Sequence, residues 1–328
     1  MKQRRIGPFQ VSEIGFGCMN LSHGYGDAPS DDVSEKILLK ALDLGVTLFD
    51  TAALYGFGVN ETLVGRVLSP HRNRFTLCSK AVLMPVDGKR ALDGRPESIR
   101  QSCENSLKRL KTDVIDLFYL HRLDKKVPIE ESAGAVADLV RAGKVRTLGV
   151  SEMSAATVRR AHAVHPVTAV QTEYSPATRN PEIAVLATCK ELGAAFVAFS
   201  PVGRGLLTGA LRSRANWKPN DMRHGMPRFQ EANAAQSEAV VERFEAIARD
   251  AGCTPAQLSL AWLLTRGDHV IPIPGTTKLE HLEQNVAASG VSLAPDVIAR
   301  VDALVVRGEG LAPRYSANTQ LEIDTEQF

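Results

Sequence analysis

Short apolar runs recur along the chain, most of them ending in a polar residue: GFGCM (15–19), VTLFD (46–50), RFTLCSK (74–80), DVIDLFYLH (113–121), KVRTLGVS (144–151), VTAVQTE (167–173), AAFVAFS (194–200) and HVIPIPG (269–275). Runs of this kind suit strands buried on both faces, as in a parallel sheet. Between them lie segments of helical period. In SDDVSEKILLKALDLG the residues Val33, Ile37, Leu38, Ala41 and Leu42 share a face, with a polar start and Gly45 as the stop. In PESIRQSCENSLKRLK the stripe is Ile99, Cys103, Leu107 and Leu110. Thr254, Pro255 and Gln257 spell a capping box with proline in the first turn. Gly45, Gly143 and Gly193 stand where helices must end in a left-handed residue.

Eight cycles of strand and helix predict a (β/α)8 TIM barrel formed by residues 1–328 as a single domain. A doubly wound sheet is the rival on periodicity alone. Two segments stand outside the alternation. RRIGPFQVSEIG (4–15) reads as a hairpin around Gly7-Pro8, and residues 212–234 read as a long, polar, unperiodic loop after the seventh barrel strand.

With 44% hydrophobic and 23% charged residues, the chain has enough apolar material for a sizeable core. A net charge of +2 gives no concentrated basic face, which argues against nucleic-acid or membrane partners. The five cysteines are odd in number and show no metal-binding spacing, so free thiols in a reducing cytoplasm are expected. MKQRRIGPFQ is basic but no apolar segment of a secretory signal follows it, and no run reaches the length of a membrane span.

In a barrel of this type the chemistry lies at the carboxyl ends of the strands. Asp50, Lys80, His121, Ser151, Gln171, Glu173 and Ser200 end successive runs, and Gly275-Thr276-Thr277-Lys278 follows the last. Singly, each has a bland reading as a turn residue, a structural histidine or a lysine snorkelling to the surface. Jointly they face one mouth. A tyrosine, with a pKa of about 10, donates a proton at neutral pH only when its anion is favoured. A nearby ammonium favours it, a carboxylate holds the ammonium, and a neutral imidazole donates to a substrate oxygen. Asp50, Tyr55, Lys80 and His121 form such a set, with the small residues 51–54 expected to let the phenol reach back over the mouth. The set suits proton delivery to a carbonyl oxygen that is being reduced, and the hydride must come from a cofactor. No GxGxxG follows a strand, and VGRGLLTG (202–209) lacks the GK[ST] ending of a P-loop.

FDTAALYG, the HRLD segment, GKVRTLGVSE, QTEYSP, FSPVGRGLLTG and IPIPGTTKLEHLEQNV occur in the order and spacing of the aldo-keto reductases, and the chain resembles that family from about residue 3 to residue 290. It is most similar to the branch of bacterial and plant reductases with a long loop after strand seven. The resemblance implies NADPH bound in extended form across the strand mouths. It also implies a catalytic tetrad of Asp50, Tyr55, Lys80 and His121, with Tyr55 as proton donor to an aldehyde or ketone. For the cofactor it implies Ser151 and Gln171 at the nicotinamide carboxamide and Tyr174 stacked on the ring. Ser200, Pro201, Gly203, Arg204, Gly205 and Leu206 fall to the pyrophosphate. Gly275, Thr276, Thr277, Lys278 and His281 fall to the 2′-phosphate, and Gln284 and Asn285 to the adenine.

Three positions depart from the family pattern: Glu152 where many members have Asn, Ala53 where an acidic residue is common, and His281 where many have Arg. Substrate choice is expected to lie in loops 19–30, 83–95 and 212–234, with Met19, Tyr25, Arg122 and Trp217 near the mouth. A second reading is a cofactor-sensing binding subunit of the same ancestry, which the intact tetrad does not separate from an enzyme. A barrel enzyme acting on a sugar phosphate is a third, and it leaves the four-residue set without a role.

Overall fold

The computed structural model describes residues 1–86, 89–211, 217–306 and 309–328. The first two strands, β1 (Gln3–Ile6) and β2 (Phe9–Ser12), pair antiparallel across the Gly7-Pro8 turn, as the sequence predicts. Then follow β3 (Phe16–Gly17), β4 (Leu48–Asp50), β5 (Thr76–Ala81), a second antiparallel hairpin of β6 (Leu83–Val86) and β7 (Lys89–Leu92), β8 (Ile115–Leu120), β9 (Val145–Ser151), β10 (Val167–Glu173), β11 (Ala195–Phe199) and β12 (Val270–Pro272). Eight of these, β3, β4, β5 and β8 to β12, form one parallel sheet in chain order. The Gly15 and Gly17 amides donate to the Pro272 and Pro274 carbonyls at 3.0 and 3.1 Å, joining the first strand to the last and closing the barrel. Glycine is required at this seam, because a Cβ on Gly17 would lie 2.8 Å from the Ile273 carbonyl oxygen.

The barrel has two apolar layers, and strand parity sorts residues between them. Leu48, Cys78, Leu117, Tyr119, Ala169, Ala195, Val197, Ile271 and Ile273 fill the interior, with Ile6 and Val11 of the hairpin packed among them. Their alternates, such as Phe49, Leu77, Phe118, Val150, Val170 and Phe196, face the helices. The Tyr119 ring fits inside because position 149 is glycine: a Cβ there would sit 2.4 Å from Tyr119 Cδ1.

Helix boundaries follow the sequence closely. The first helix, Asp31–Asp43, is capped by the Ser30 hydroxyl, and Thr254 and Gln257 form the full capping box of helix Pro255–Leu264. Ile99, Cys103, Leu107 and Leu110 are buried on helix Pro96–Leu110. Val33 is exposed instead of buried, since it lies in the first turn and Ser34 takes the inward place. The loop expected over 212–234 begins at residues 212–216, outside the described residues; the rest holds three short 3-10 turns, Met222–Gly225, Pro227–Phe229 and Glu231–Asn233. Within the expected 83–95 loop, residues 87–88 are likewise outside, and the flanking residues form the second hairpin. Among the described residues no helix is long and apolar enough to cross a membrane.

Candidate active site

The inward parity of each strand runs on past the apolar layer into the mouth. Leu48 is followed inward by Asp50, Cys78 by Lys80, Tyr119 by His121, Gly149 by Ser151, Ala169 by Gln171 and Val197 by Phe199. All but Lys80 line one cavity of about 860 Å³. Lys80 lies beneath it, fully buried, so the snorkelling reading of that residue does not hold.

Lys80 Nζ donates to Asp50 Oδ1 at short range, to the Thr51 carbonyl at 2.9 Å and to the Tyr55 hydroxyl at 3.2 Å. Asp50 is held from its other side by the Gln171 amide, which donates to Oδ2 at 2.8 Å. The His121 ring stands nearly perpendicular to that of Tyr55, with centroids 5.9 Å apart, and its buried Nδ1 has no protein partner. The turn that aims Tyr55 comes after it, not in residues 51–54. Gly56, Phe57 and Gly58 all have positive φ, while Thr51, Ala52 and Ala53 are buried against the barrel. Two buried polar residues that sequence reading passed over pin this turn. Asn60 donates to the Cys18 carbonyl at 2.8 Å, and Glu61 accepts from Arg109 Nε at 2.7 Å.

Burial is the largest influence on each of the three titrating groups at this mouth. It pushes the Tyr55 phenol above its ordinary value, with Lys80 pulling the other way. It presses on the Lys80 ammonium, but Asp50 and Tyr55 together outweigh it and the lysine is raised. It holds the His121 imidazole well below its usual value, helped by Arg122 and Lys80. At neutral pH the site therefore carries a protonated phenol, an ammonium and a neutral imidazole. The lysine does not turn Tyr55 into a stronger acid than free tyrosine. It offsets part of the desolvation that would otherwise oppose the phenolate.

The other candidate residues divide. Ser151, Gln171, Ser200, Pro201, Arg204, Gly205, Gly275, Thr276, Thr277, Lys278, His281, Gln284 and Asn285 line the cavity, as do Met19, Tyr25 and Arg122. Lys278 precedes helix Leu279–Ala287, and its amide donates to the Thr276 hydroxyl at 3.1 Å. Ser200, Gly203, Arg204 and Gly205 have left-handed backbone, which turns the chain tightly around this stretch. Gly203 and Leu206 are buried behind the lining, and Trp217 packs against His224 and Phe229.

Tyr174 does not reach the cavity. Its parity is that of Val170, so the ring is buried among the helices against Phe196 and Trp262, with its hydroxyl donating to Glu182 at 2.6 Å. The aromatic that does end a strand with inward parity is Phe199, which is half-buried and lines the cavity. Sequence parity alone would have found it, because Ala195 and Val197 precede it at the same period of two.

Nor is the Arg204 guanidinium free for a pyrophosphate: it donates to Glu173 at 2.9 Å and to the Tyr315 hydroxyl at 2.8 Å. Glu152, in the place where Asn is common, grips Arg314 through both carboxylate oxygens, at 2.9 and 2.5 Å. Arg314 and Tyr315 are buried, and Tyr315, Ser316 and Thr319 complete the cavity wall. The sequence reading missed this C-terminal segment, since nothing in LAPRYSANTQ has a period and its partners lie far away in the chain.

Burial alone would raise the Glu173 carboxyl, yet Arg204, Arg314 and Arg228 bring it down to about 2 from an ordinary 4.5. A depressed carboxylate adds stability above its unfolded pKa and loses it as pH falls through the folded one. The contribution, on the order of 3 kcal/mol, is therefore expected in full at neutral pH and to fade from about 4.5 to about 2. Thermal melting of the native protein and Glu173→Gln across this range should show a gap that closes on acidification. A gap that stays constant would show that the arginines do not set this carboxylate's titration.

The sequence profile of the Aldo/keto reductase family matches residues 13–306. The aldo-keto reductase str7 of Strobilurus tenacellus is 42% identical over 99% of this chain and 98% of its own. The aldo-keto reductase yakc [NADP(+)] of Schizosaccharomyces pombe is 40% identical over 98% and 97%. Among solved structures, a glycerol dehydrogenase from Gluconobacter oxydans superposes with a TM-score of 0.85 at 30% identity, covering 96% of this chain and 99% of that one. An aldo/keto reductase from Klebsiella pneumoniae in complex with NADP and acetate gives 0.71 at 27% identity, with 92% and 95% covered. Barrel, strand-end chemistry and relatives agree on an oxidoreductase, and the chain belongs to the aldo/keto reductase family.

Proposed function

We propose that this protein reduces aldehydes or ketones to alcohols with NADPH, and that residues 1–328 act as one barrel unit. The observation that carries the reading is the chain from Asp50 through Lys80 to the Tyr55 hydroxyl, with the neutral His121 set across it at the cavity floor. NADP(+) is named for the Schizosaccharomyces pombe relative, and NADP is present in the Klebsiella pneumoniae neighbour, which supports NADPH as the reductant. The residues here fit it. The cavity runs from His121 to Lys278 and Asn285, wide enough for an extended ligand and polar at both ends. Thr276, Thr277 and Lys278 at the start of helix Leu279–Ala287 suit an anion. Ser200, Pro201 and Gly205 would follow the pyrophosphate with backbone groups, Ser151 and Gln171 would hold the carboxamide, and Phe199 would support the ring.

When bound, the cofactor supplies the hydride. The protein's own part is electrostatic and protonic. His121 directs its N–H at the carbonyl oxygen and orients it, Tyr55 gives that oxygen its proton, and Lys80 stabilises the resulting phenolate. Asp50 keeps Lys80 charged and in place. All five cysteines are free thiols, which supports a reducing compartment, and the cytoplasm is the proposed location.

The test is NADPH oxidation with 4-nitrobenzaldehyde and a panel of aldehydes and ketones. Turnover supports the reading; tight NADPH binding without turnover of any carbonyl overturns it in favour of a cofactor-sensing subunit. The phosphate assignment has its own test. His281 is exposed at the cavity rim beside Lys278. A permanent fork there should tighten NADPH, so His281→Arg is expected to lower the NADPH dissociation constant about threefold to tenfold and leave NADH unchanged. Equal effects on both cofactors would remove the 2′-phosphate from this position.

A further inference from the structure

We infer that Arg122 anchors a carboxylate on the substrate, so that the carbonyl compound this enzyme acts on is an oxo acid. The inference rests on the reductase reading and deepens it by naming the substrate class.

Among the described residues, five cationic side chains line the cavity: Arg90, Arg122, Arg204, Arg223 and Lys278. Three of the arginines are already neutralised. Arg90 forks onto Glu322, Arg204 meets Glu173, and Arg223 holds Asp221 at 2.6 Å while its guanidinium lies between the Tyr25 and Trp217 rings. Lys278 sits at the phosphate end. Arg122 alone among the described arginines of the cavity has no carboxylate partner. The only acidic residue in the described lining is Asp50, which is taken by Lys80.

The guanidinium of Arg122 is nonetheless held in place. Its Nη1 donates to the His121 carbonyl at 2.7 Å and approaches the Ser151 hydroxyl at 3.4 Å, while Nε and Nη2 make no hydrogen bond with the described residues. A planar fork with free donors, fixed at one corner, is suited to a carboxylate. It stands beside His121, where it adds to the burial that keeps that imidazole neutral. The cofactor offers no anion here: the neighbouring Ser151 belongs to the carboxamide end in the proposed pose, and the phosphates lie toward Lys278. An anion that arrives with the substrate accounts for both the open fork and its position next to His121.

The experiment compares acids with their neutral methyl esters: 4-carboxybenzaldehyde against methyl 4-formylbenzoate, and 4-oxobutanoate against methyl 4-oxobutanoate. In the native enzyme kcat/KM should favour the acid of at least one pair by about tenfold or more, with the advantage shrinking at high salt. In Arg122→Met the acid-to-ester ratio should fall to about one, mainly through KM for the acid, and Arg122→Lys should restore part of it. NADPH dissociation constants measured on all three proteins report folding and the cofactor half of the site. Acids no better than esters in the native enzyme, or an Arg122→Met loss shared equally by acid and ester, would overturn the inference while leaving the reductase reading intact. If 4-nitrobenzaldehyde and all four probes fail to oxidise NADPH, the reductase reading falls, and this inference with it.

Discussion

Tyr55→Phe is expected to lower kcat for 4-nitrobenzaldehyde by about two to four orders of magnitude, the range typical of losing a positioned general acid. The change removes one oxygen. That oxygen accepts from Lys80 at 3.2 Å, and its loss leaves the ammonium with Asp50 and the Thr51 carbonyl as partners. The ion pair is therefore kept, and the barrel should melt close to the native temperature. The ring itself contacts His23 and His121, contacts that phenylalanine retains. NADPH affinity should change by no more than about twofold, because no cofactor contact is assigned to the phenol. The pH profile adds an independent readout. Burial holds the phenol above its ordinary value, so the native enzyme should keep its proton donor throughout the neutral and mildly alkaline range. If Tyr55→Phe retains native kcat with a folded barrel and intact NADPH binding, proton delivery must be reassigned, and the neutral His121 is the group that remains.

Most of the barrel was legible because its strands are buried on both faces, and a run apolar at every position survives single-sequence reading. Three of the four residues proposed for catalysis were legible for a related reason. Asp50, Lys80 and His121 each extend the inward parity of their strand by one step past the apolar layer, so a common destination follows from the period alone. The same rule exposes the error at Tyr174, which shares parity with Val170 and so faces the helices, and it selects Phe199 in its place. Glu152 follows Val150 in the same way and meets Arg314 outside the cavity lining. Parity is silent about side chains contributed from outside the strands. Tyr315 reaches the mouth, with Arg314 buried behind it, from a segment without period. Arg314 is held by Glu152, just past the end of β9, and the Tyr315 hydroxyl accepts from Arg204, each partner more than 100 residues away, and only tertiary structure joins them. The aim of Tyr55 was misread for a comparable reason. Positive φ at Phe57 is a backbone fact that its side chain does not advertise, and Asn60 and Glu61 pin the turn from inside a helix.

Lys80→Met should cost both folding and catalysis, and the two losses can be separated. The lysine is fully buried, and its ammonium faces Asp50, which is 2% exposed. Methionine fills similar space without charge, so the substitution strands a carboxylate in the barrel with, among the described residues, only the Gln171 amide as a side-chain donor. Breaking a buried pair from one side typically costs about 3–5 kcal/mol, and a fall in the denaturation midpoint of that order is expected. Removing both charges is a different perturbation. In Asp50→Asn/Lys80→Met no unpaired charge remains, the asparagine can still accept from Gln171, and most of the lost stability should return. Activity should not return with it. The phenolate formed when Tyr55 gives up its proton would lose Lys80 and keep only the weaker pull of Arg122, in a site whose burial already opposes that anion. A double variant that is stable, binds NADPH and is nearly inactive is thus the expected outcome, read from chemical denaturation, cofactor titration and kcat on the same preparations. Recovery of kcat in step with stability would mean that Lys80 serves packing alone, and that the electrostatic support of Tyr55 comes from elsewhere in the mouth.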